Sequence, residues 1–174
     1  MTANGGSPAD ELVEWVDEDG ATIEVVTRGR MRAENLRHRS VYIVVRSAAD
    51  EVLVHRRADW KDVFASHWDV AFGGVCDVGE AWEPAAVREL AEEAGVEALL
   101  TDRGPFTHTD DHVAIVGRLF EARTTGPFTF ADGEVAEVAW VPRAGLLEWA
   151  ADRPVTTDGR DSVVPEILAW PPPT

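Results

Sequence analysis

The chain has 174 residues, a length that suits one domain built on a single sizeable core. Asp and Glu number 32 against 16 Lys and Arg, a formal net charge of -16, which argues against a protein that coats nucleic acid or an anionic membrane surface; a hydrophobic content of 45% excludes the composition of a disordered chain. The lone Cys76 cannot close an internal disulfide, the first residues form no signal-like stretch, and no apolar run approaches a membrane span, so a cytoplasmic location is expected.

In chain order, residues 1–9, rich in Gly, Ser and Pro, are expected to be a disordered tail, leaving residues 10–170 as one domain. Residues 12–16 and 21–26 alternate around Asp17-Glu18-Asp19-Gly20, a turn signal that predicts a β-hairpin. A helical turn is predicted over 30–36. Residues 41–45 are a continuous apolar and aromatic run, the pattern of a strand buried on both faces, with 51–55 as its expected hairpin partner. Residues 57–80 have no clean period and predict a long loop interrupted by a strand at 68–72; long irregular segments in compact domains tend to carry function. Residues 82–94 turn helical, with Pro84 in the first turn and Gly95 as a stop. Strands at 98–100, 112–121 and 138–141 and helices over 143–151 and 162–169 complete the prediction.

Positive charge is local. Arg28, Arg30, Arg32, Arg37, Arg39, Arg46, Arg56, Arg57 and Lys61 share a stretch with only Glu34, Asp50, Glu51 and Asp59 as acids. Such residues either pair with neighbouring carboxylates or anchor an anionic group, since the arginine fork matches phosphate oxygens.

On the helix predicted at 82–94, Val87, Leu90, Ala91 and Ala94 form an apolar stripe that is expected to face the core. Glu89, Glu92 and Glu93 gather on the opposite side at i, i+3 and i+4, where like charges destabilise a helix unless something offsets them. They form either a solvated face or a site for a hard divalent cation such as Mg²⁺, which takes oxygen ligands.

The wider spacing decides. From Gly74 to Val96 the chain reads G-x5-E-x7-R-E-U-x-E-E-x-G-U, where U is a large aliphatic residue. At average residue frequencies a chance match at a given start is on the order of 10⁻⁹ to 10⁻¹⁰. This pattern resembles the Nudix box at every defined position, the signature of the Nudix hydrolase family. The resemblance implies an α/β fold: an α/β/α sandwich around a mixed central β-sheet, here with an extra N-terminal β-hairpin. It also implies Mg²⁺- or Mn²⁺-dependent cleavage of the phosphoanhydride of a small, nucleoside diphosphate-X type molecule by water attack on phosphorus. Carried over by position, Glu89, Glu92 and Glu93 would be metal carboxylates, with the backbone carbonyl of Gly73 as a further ligand. Glu92 and Glu93 would also be catalytic, with Arg88 orienting a catalytic carboxylate and Glu80 bracing the loop. Gly74, Gly79 and Gly95 would permit turns.

Outside the box, Leu36-Arg37-His38-Arg39, Leu53-Val54-His55-Arg56-Arg57 and Trp68-Asp69 resemble the branch of the family related to isopentenyl diphosphate isomerase. Those isomerases carry a catalytic Cys where this chain has Gly73 and a metal-binding His where it has Val75, so the resemblance implies a hydrolase rather than an isomerase. A nucleotide-sensing Nudix domain without turnover is the other alternative, and the complete set of carboxylates weighs against it. Arg56 and Arg57 are expected to contact substrate, only one of them from the cleft face, because strand neighbours point to opposite sides. Glu134, near Glu137, is similar to a position that supplies a further metal ligand or base. Asp110, Asp111 and His112 are expected to be a polar turn, His38 structural, and Trp60, Trp68 and Trp82 core packing; His55, His67 and His108 have no partner at ligand spacing. The expected partner is a small-molecule diphosphate, with no nucleic acid polymer and no membrane; the extra hairpin packs either on its own sheet or on a second subunit, the latter giving a homodimer.

Overall fold

A computed structural model describes residues 7–172. Of the predicted tail, residues 1–6 lie outside the described residues, and Ser7 caps a 3-10 turn at Pro8–Asp10. The predicted hairpin forms from β1 (Leu12–Val16) and β2 (Thr22–Thr27). Helix α1 (Arg28–Ala33) starts earlier than predicted because the Thr27 hydroxyl accepts the Arg30 N–H at 3.2 Å and caps it there.

The sheet is mixed. Strand β3 (His38–Arg46) runs parallel to β7 (Ala114–Arg123), and β7 takes β6 (Leu100–Thr109) antiparallel on its other edge. Strand β4 (Glu51–Arg57) pairs antiparallel with β8 (Val135–Pro142) and with the short β5 (Trp68–Asp69). The expected hairpin of β3 with β4 is present only at its base, where Arg46 faces Val52. Beyond it the two strands diverge to separate partners, and the chain after β5 closes the gap by crossing to β3. There Ile43 and Phe72 exchange both backbone bonds, at 2.7 and 2.9 Å, and the N–H groups of Val41 and Cys76 reach Gly74 and Arg39 carbonyls.

Alternation along β3 sorts the two layers of core. Val41, Ile43 and Val45 pack with Leu53, Phe72, Phe120 and Ala122 beneath α2 (Trp82–Ala94), whose contribution is Ala85, Ala86, Leu90 and Ala94. Tyr42 and Val44 point the other way, into a cluster with Val52, Val54, Ile115, Leu119, Leu146, Val164 and Ile167 that seats α3 (Leu146–Ala151) and α4 (Val164–Ala169), the latter entered through a π-helical turn at Gly159–Val163. Each buried Val, Ile or Leu contributes about 1.5–3 kcal/mol, so a strand apolar on both faces is what holds the α/β/α sandwich together.

Two predictions need correction. The strand expected at 98–100 is instead the ten-residue β6, hidden in the sequence by Gly104 and Pro105; both are tolerated because β6 pairs on one side only and shifts register between Asp102 and Gly104. On α2, the buried face is turned by roughly 100° from the predicted stripe, at 100° per residue. Val87 and Ala91 are exposed, whereas Glu89 and Glu93 are buried. The narrow alanine face lets the helix lie close to the sheet, and the remaining contact is made by carboxylates against the 72–76 crossing.

A second polar group is buried on the far side. Arg46 and Glu121, both wholly inaccessible, pair at 3.0 Å, and Glu121 also takes Arg103 and Arg123. Arg46 reaches the Pro171 carbonyl at 3.3 Å, and Arg143 bonds Asp50 and the Leu168 carbonyl, so the network ties the C-terminal segment to β3 and β7. Glu121→Ala removes the acid that three arginines share and is expected to cost about 3–5 kcal/mol, read as a lower urea midpoint at unchanged m-value.

Candidate active site

The box folds as a loop onto α2, with Gly95 ending the helix at φ 62°. Its first requirement is backbone. Gly73 sits at φ 142°, and a Cβ there would lie 2.0 Å from the Val41 carbonyl oxygen; a Cβ on Gly74 would lie 2.8 Å from both carboxylate oxygens of Glu89. Only glycine lets the crossing strand lie flat on β3 and receive the helix carboxylates. The same collision bars the cysteine that isomerase chemistry would need at Gly73.

Arg88 is the hub of the helix. It donates through Nε and Nη2 to Glu80 at 3.0 and 2.7 Å, and through Nη1 to Glu89 at 2.8 Å and Glu92 at 3.2 Å. Glu80 accepts the Asp77 N–H at 2.9 Å as well, so it braces the loop, and the Arg88 guanidinium holds its carboxyl below the usual range. Glu93 takes the Gly73 N–H at 2.9 Å. Burial pushes the Glu93 carboxyl up to about 8, the Gly73 N–H opposing and the Glu89 charge adding; burial raises Glu89 too, against the pull of Arg88.

The carboxylates open into a cleft of about 440 Å³ lined by Gly73, Arg88, Glu89, Glu92, Glu93 and Glu134. Glu134, on the loop before β8, ion-pairs with Lys61, and its own carbonyl accepts the Ala58 N–H at 2.8 Å. Of the two candidate arginines, Arg57 faces the cleft, donating to the Val63 carbonyl at 3.1 and 3.3 Å and lying 3.9 Å from Asp69. Arg56 points to the other side and pairs with Glu137 at 3.2 Å, and so does not line the cleft. Four members of the basic stretch reach the cleft: Arg28, Arg32, Arg57 and Lys61. The rest are spent elsewhere, as in Arg30 with Glu24 and Glu34, and Arg39 with Glu14 and over the Trp82 ring.

Other sequence candidates take structural places. His38 is buried, donates from Nδ1 to the Leu36 carbonyl at 3.0 Å, and is pushed down to about 4 by burial and by Arg32, which keeps it neutral. His55 stacks on Phe72. Asp110 ends β6 by accepting the N–H groups of His112 and Val113 at 2.7 and 2.8 Å, the expected polar turn. Trp68 and Trp82 pack on the two cores, whereas Trp60 is 60% exposed, with Lys61 at its ring. Sequence reasoning passed over Tyr42, Asp69 and Asp158, which also line the cleft. Asp69 stood in the quoted Trp68-Asp69 pair, but Asp158 reads only as a turn residue in Thr-Thr-Asp-Gly.

Among the described residues no three acids, histidines or cysteines are already gathered closely enough to hold a metal ion, and Arg88 bonds both Glu89 and Glu92. The donor set nevertheless fits a divalent cation. Glu89 and Glu93 are hard oxygen donors buried in a cleft with their charged forms disfavoured, and a cation is what relieves that cost. Among the described residues no helix is long and apolar enough to cross a membrane.

Residues 36–159 match the family model of the NUDIX domain. The chain is 39% identical over 132 residues to the uncharacterized Nudix hydrolase YfcD of Salmonella typhi, covering 74% of this chain and 72% of that protein. It is 34% identical over 172 residues to the uncharacterized Nudix hydrolase SCO1686 of Streptomyces coelicolor, covering 94% and 92%. In fold it is similar to DR0079 from Deinococcus radiodurans, with a TM-score of 0.78, 23% identity and coverage of 90% and 99%. The NUDIX domain of Shewanella oneidensis NrtR, solved with ADP ribose, gives a TM-score of 0.60 at 20% identity, covering 81% and 96%.

The Glu93 carboxyl gives a pH signature. Its folded value is raised from 4.5 to about 8, so the stability it contributes is fully present below 4.5 and is lost as pH rises through 8. In metal-free buffer the Tm of the wild type is expected to fall relative to Glu93→Gln across that window. Added Mg²⁺ is expected to restore it most at the alkaline end, and only in the wild type; parallel Tm profiles with pH would contradict the assignment.

Proposed function

The chain belongs to the Nudix hydrolase family, and from that premise we propose that it is a Mg²⁺-dependent pyrophosphohydrolase of a small nucleoside diphosphate-X type molecule, acting in the cytoplasm through one domain spanning residues 10–170. The observation that supports the reading is the shared cleft, which the box carboxylates line together with Arg28, Arg32, Arg57 and Lys61. A net charge of -16 repels a polyanion, yet this local arrangement accepts a short one.

Glu89, Glu92, Glu93 and the Gly73 carbonyl would hold Mg²⁺, with Mn²⁺ as a substitute. Bound there, the ion would supply positive charge to offset phosphate oxygens and would make water nucleophilic near neutral pH. Arg57 and Lys61 bind and orient the diphosphate, the first through its guanidinium fork. Glu134 accepts a proton from the attacking water as its oxygen bonds to phosphorus and the bridging P–O bond breaks. Arg88 acts indirectly, fixing Glu89 and Glu92, and Glu80 fixes Arg88. The isomerase alternative lacks its acid at Gly73, and a sensor without turnover has no need for Glu134 and the full box together.

The test is phosphate or mononucleotide release with Mg²⁺ from a panel of nucleotide sugars, dinucleotides, nucleoside diphosphates and triphosphates, and prenyl diphosphates. Cleavage of at least one member is expected; cleavage of none overturns the proposal. Glu93→Gln and Glu134→Gln are each expected to lower kcat by about 10²- to 10⁴-fold. Arg57→Ala is expected to raise KM, whereas Arg56→Ala, which removes only an outward ion pair, leaves kcat/KM unchanged.

A further inference from the structure

The hairpin that precedes the family-matched residues packs on its own sheet through one edge and leaves the other edge bare. Strand β1 joins β3, with Trp15 level with His38 and the Val16 N–H on the Arg37 carbonyl at 2.8 Å, so β2 becomes an outermost strand of the eight-stranded sheet. Among the described residues nothing pairs with its outer edge. The Arg28 N–H donates to the Glu11 carbonyl at 2.7 Å, in register with the pairs Val13–Val26 and Trp15–Glu24. By antiparallel alternation Val25 and Thr27 therefore turn their N–H and C=O groups away from β1.

That edge has little of the usual protection against pairing. Strand β2 reads Thr-Ile-Glu-Val-Val-Thr, with no Lys or Pro, and its one register shift lies at its start, by Ile23. Strand β6, which also pairs on one side only, carries Asp102, Arg103, Gly104 and Pro105 with a register shift among them. Instead of such breakers β2 exposes Ile23 and Val25, 54% and 43% accessible, and Leu12 of β1, opposite Thr27, adds a third apolar side chain at 57%. Charge is unequal at the two ends of the strand. The turn before it holds Asp17, Glu18 and Asp19, and α1 after it holds Arg28, Arg30 and Arg32. Asp17 closes the turn by accepting the Asp19 and Ala21 N–H groups, while Glu18, with only Arg37 at 3.7 Å, and Asp19 are exposed. Arg30 is exposed in part beside Glu24 and Glu34.

We propose that β2 pairs antiparallel with β2 of a second copy of this chain, about a two-fold axis at Val25, joining the two sheets into one. In that register Val25 meets its own copy and exchanges both backbone bonds with it. Thr27 of each copy comes beside Ile23 of the other, and the exposed apolar side chains of the two hairpins become neighbours. The two-fold sets one hairpin head to tail against the other, so the Glu18-Asp19 turn of each copy comes level with Arg30 on α1 of the other. A second copy thus brings opposite charge to both ends of the contact at once, whereas a parallel arrangement of the same strands would set acid beside acid. The net charge of -16 on each copy opposes looser contacts, which leaves a close one in this register. An interface of one strand and its neighbours belongs to the small, reversible class.

The test is sedimentation equilibrium of the full chain from about 1 to about 500 µM, with amide hydrogen exchange on the same samples. The mass is expected to rise from 19.0 kDa toward twice that value, with half of the chain paired at about 10–100 µM, and the Val25 and Thr27 amides are expected to become protected over the same range. Val25→Lys sets two ammonium groups face to face and is expected to weaken pairing at least about 10-fold, with the Tm of the dilute monomer unchanged because Val25 is half-exposed. Asp19→Lys and Arg30→Glu are each expected to weaken pairing, and their equimolar mixture to restore it, since the mixed pair again has opposite charges at both ends. A mass of 19.0 kDa throughout, undiminished association of Val25→Lys, or no recovery in the mixture overturns the inference. Protection of the Val25 amide already at about 1 µM overturns it as well, because another segment of the chain then covers the edge. Should Arg30→Glu, which also gives up Glu24 and Glu34, not fold, Val25→Lys and the exchange profile decide.

Discussion

The close approach of the Phe72–Cys76 crossing to β3 is the constraint on which the rest depends. Strands β3 and β4 separate after a single pairing, and the crossing fills the gap by bonding Ile43 and Val41 on one side. Gly73, with its Cα against the Val41 carbonyl, makes that approach possible, and the N–H it turns outward is the one Glu93 accepts. Gly74 then leaves the space that the Glu89 carboxylate occupies. Sheet closure and placement of two box carboxylates are thus one event: a side chain at either glycine would disturb both.

That placement puts charge where a protein alone gains little from it. A helix face of small alanines gives α2 a close seat, and two of its glutamates go under cover with it. Burial disfavours their ionised forms, Arg88 offsets part of the cost for Glu89, and Glu93 has a backbone N–H. In the buried Arg46–Glu121 network on the other layer, by contrast, opposite charges pair directly and clasp the C-terminal segment. Paired burial holds a fold together, while incompletely compensated burial leaves a site ready for a ligand.

The basic stretch divides by geometry in the same way. Arg56 and Arg57 are adjacent in sequence, yet β4 sends one to Glu137 and the other into the cleft. Lys61 and Arg32 reach the same space from a loop and from α1. A cleft lined by four such cations as well as by carboxylates can attract a short polyanion, which a uniformly acidic surface does not.

Much was legible in the chain itself. The hairpin, the strand apolar on both faces, the helix with its glycine stop and the box spacing follow from period and turn chemistry, which are local. Strand β6 was not, because Gly104 and Pro105 read as breakers until a one-sided edge accommodates them. Nor was the true face of α2, since a wheel ranks residues by apolarity and cannot know that the 72–76 crossing will cover Glu89 and Glu93. By itself, the sequence determined the family pattern and the residues capable of holding a cation and a phosphate, because those depend on residue type at fixed spacing. Only the tertiary structure decided which of them meet: Arg57 rather than Arg56, Glu134 against Lys61, and Asp158 brought from near the C-terminus to Tyr42. These are long-range contacts, fixed by strand pairing and packing rather than by any neighbour in the chain.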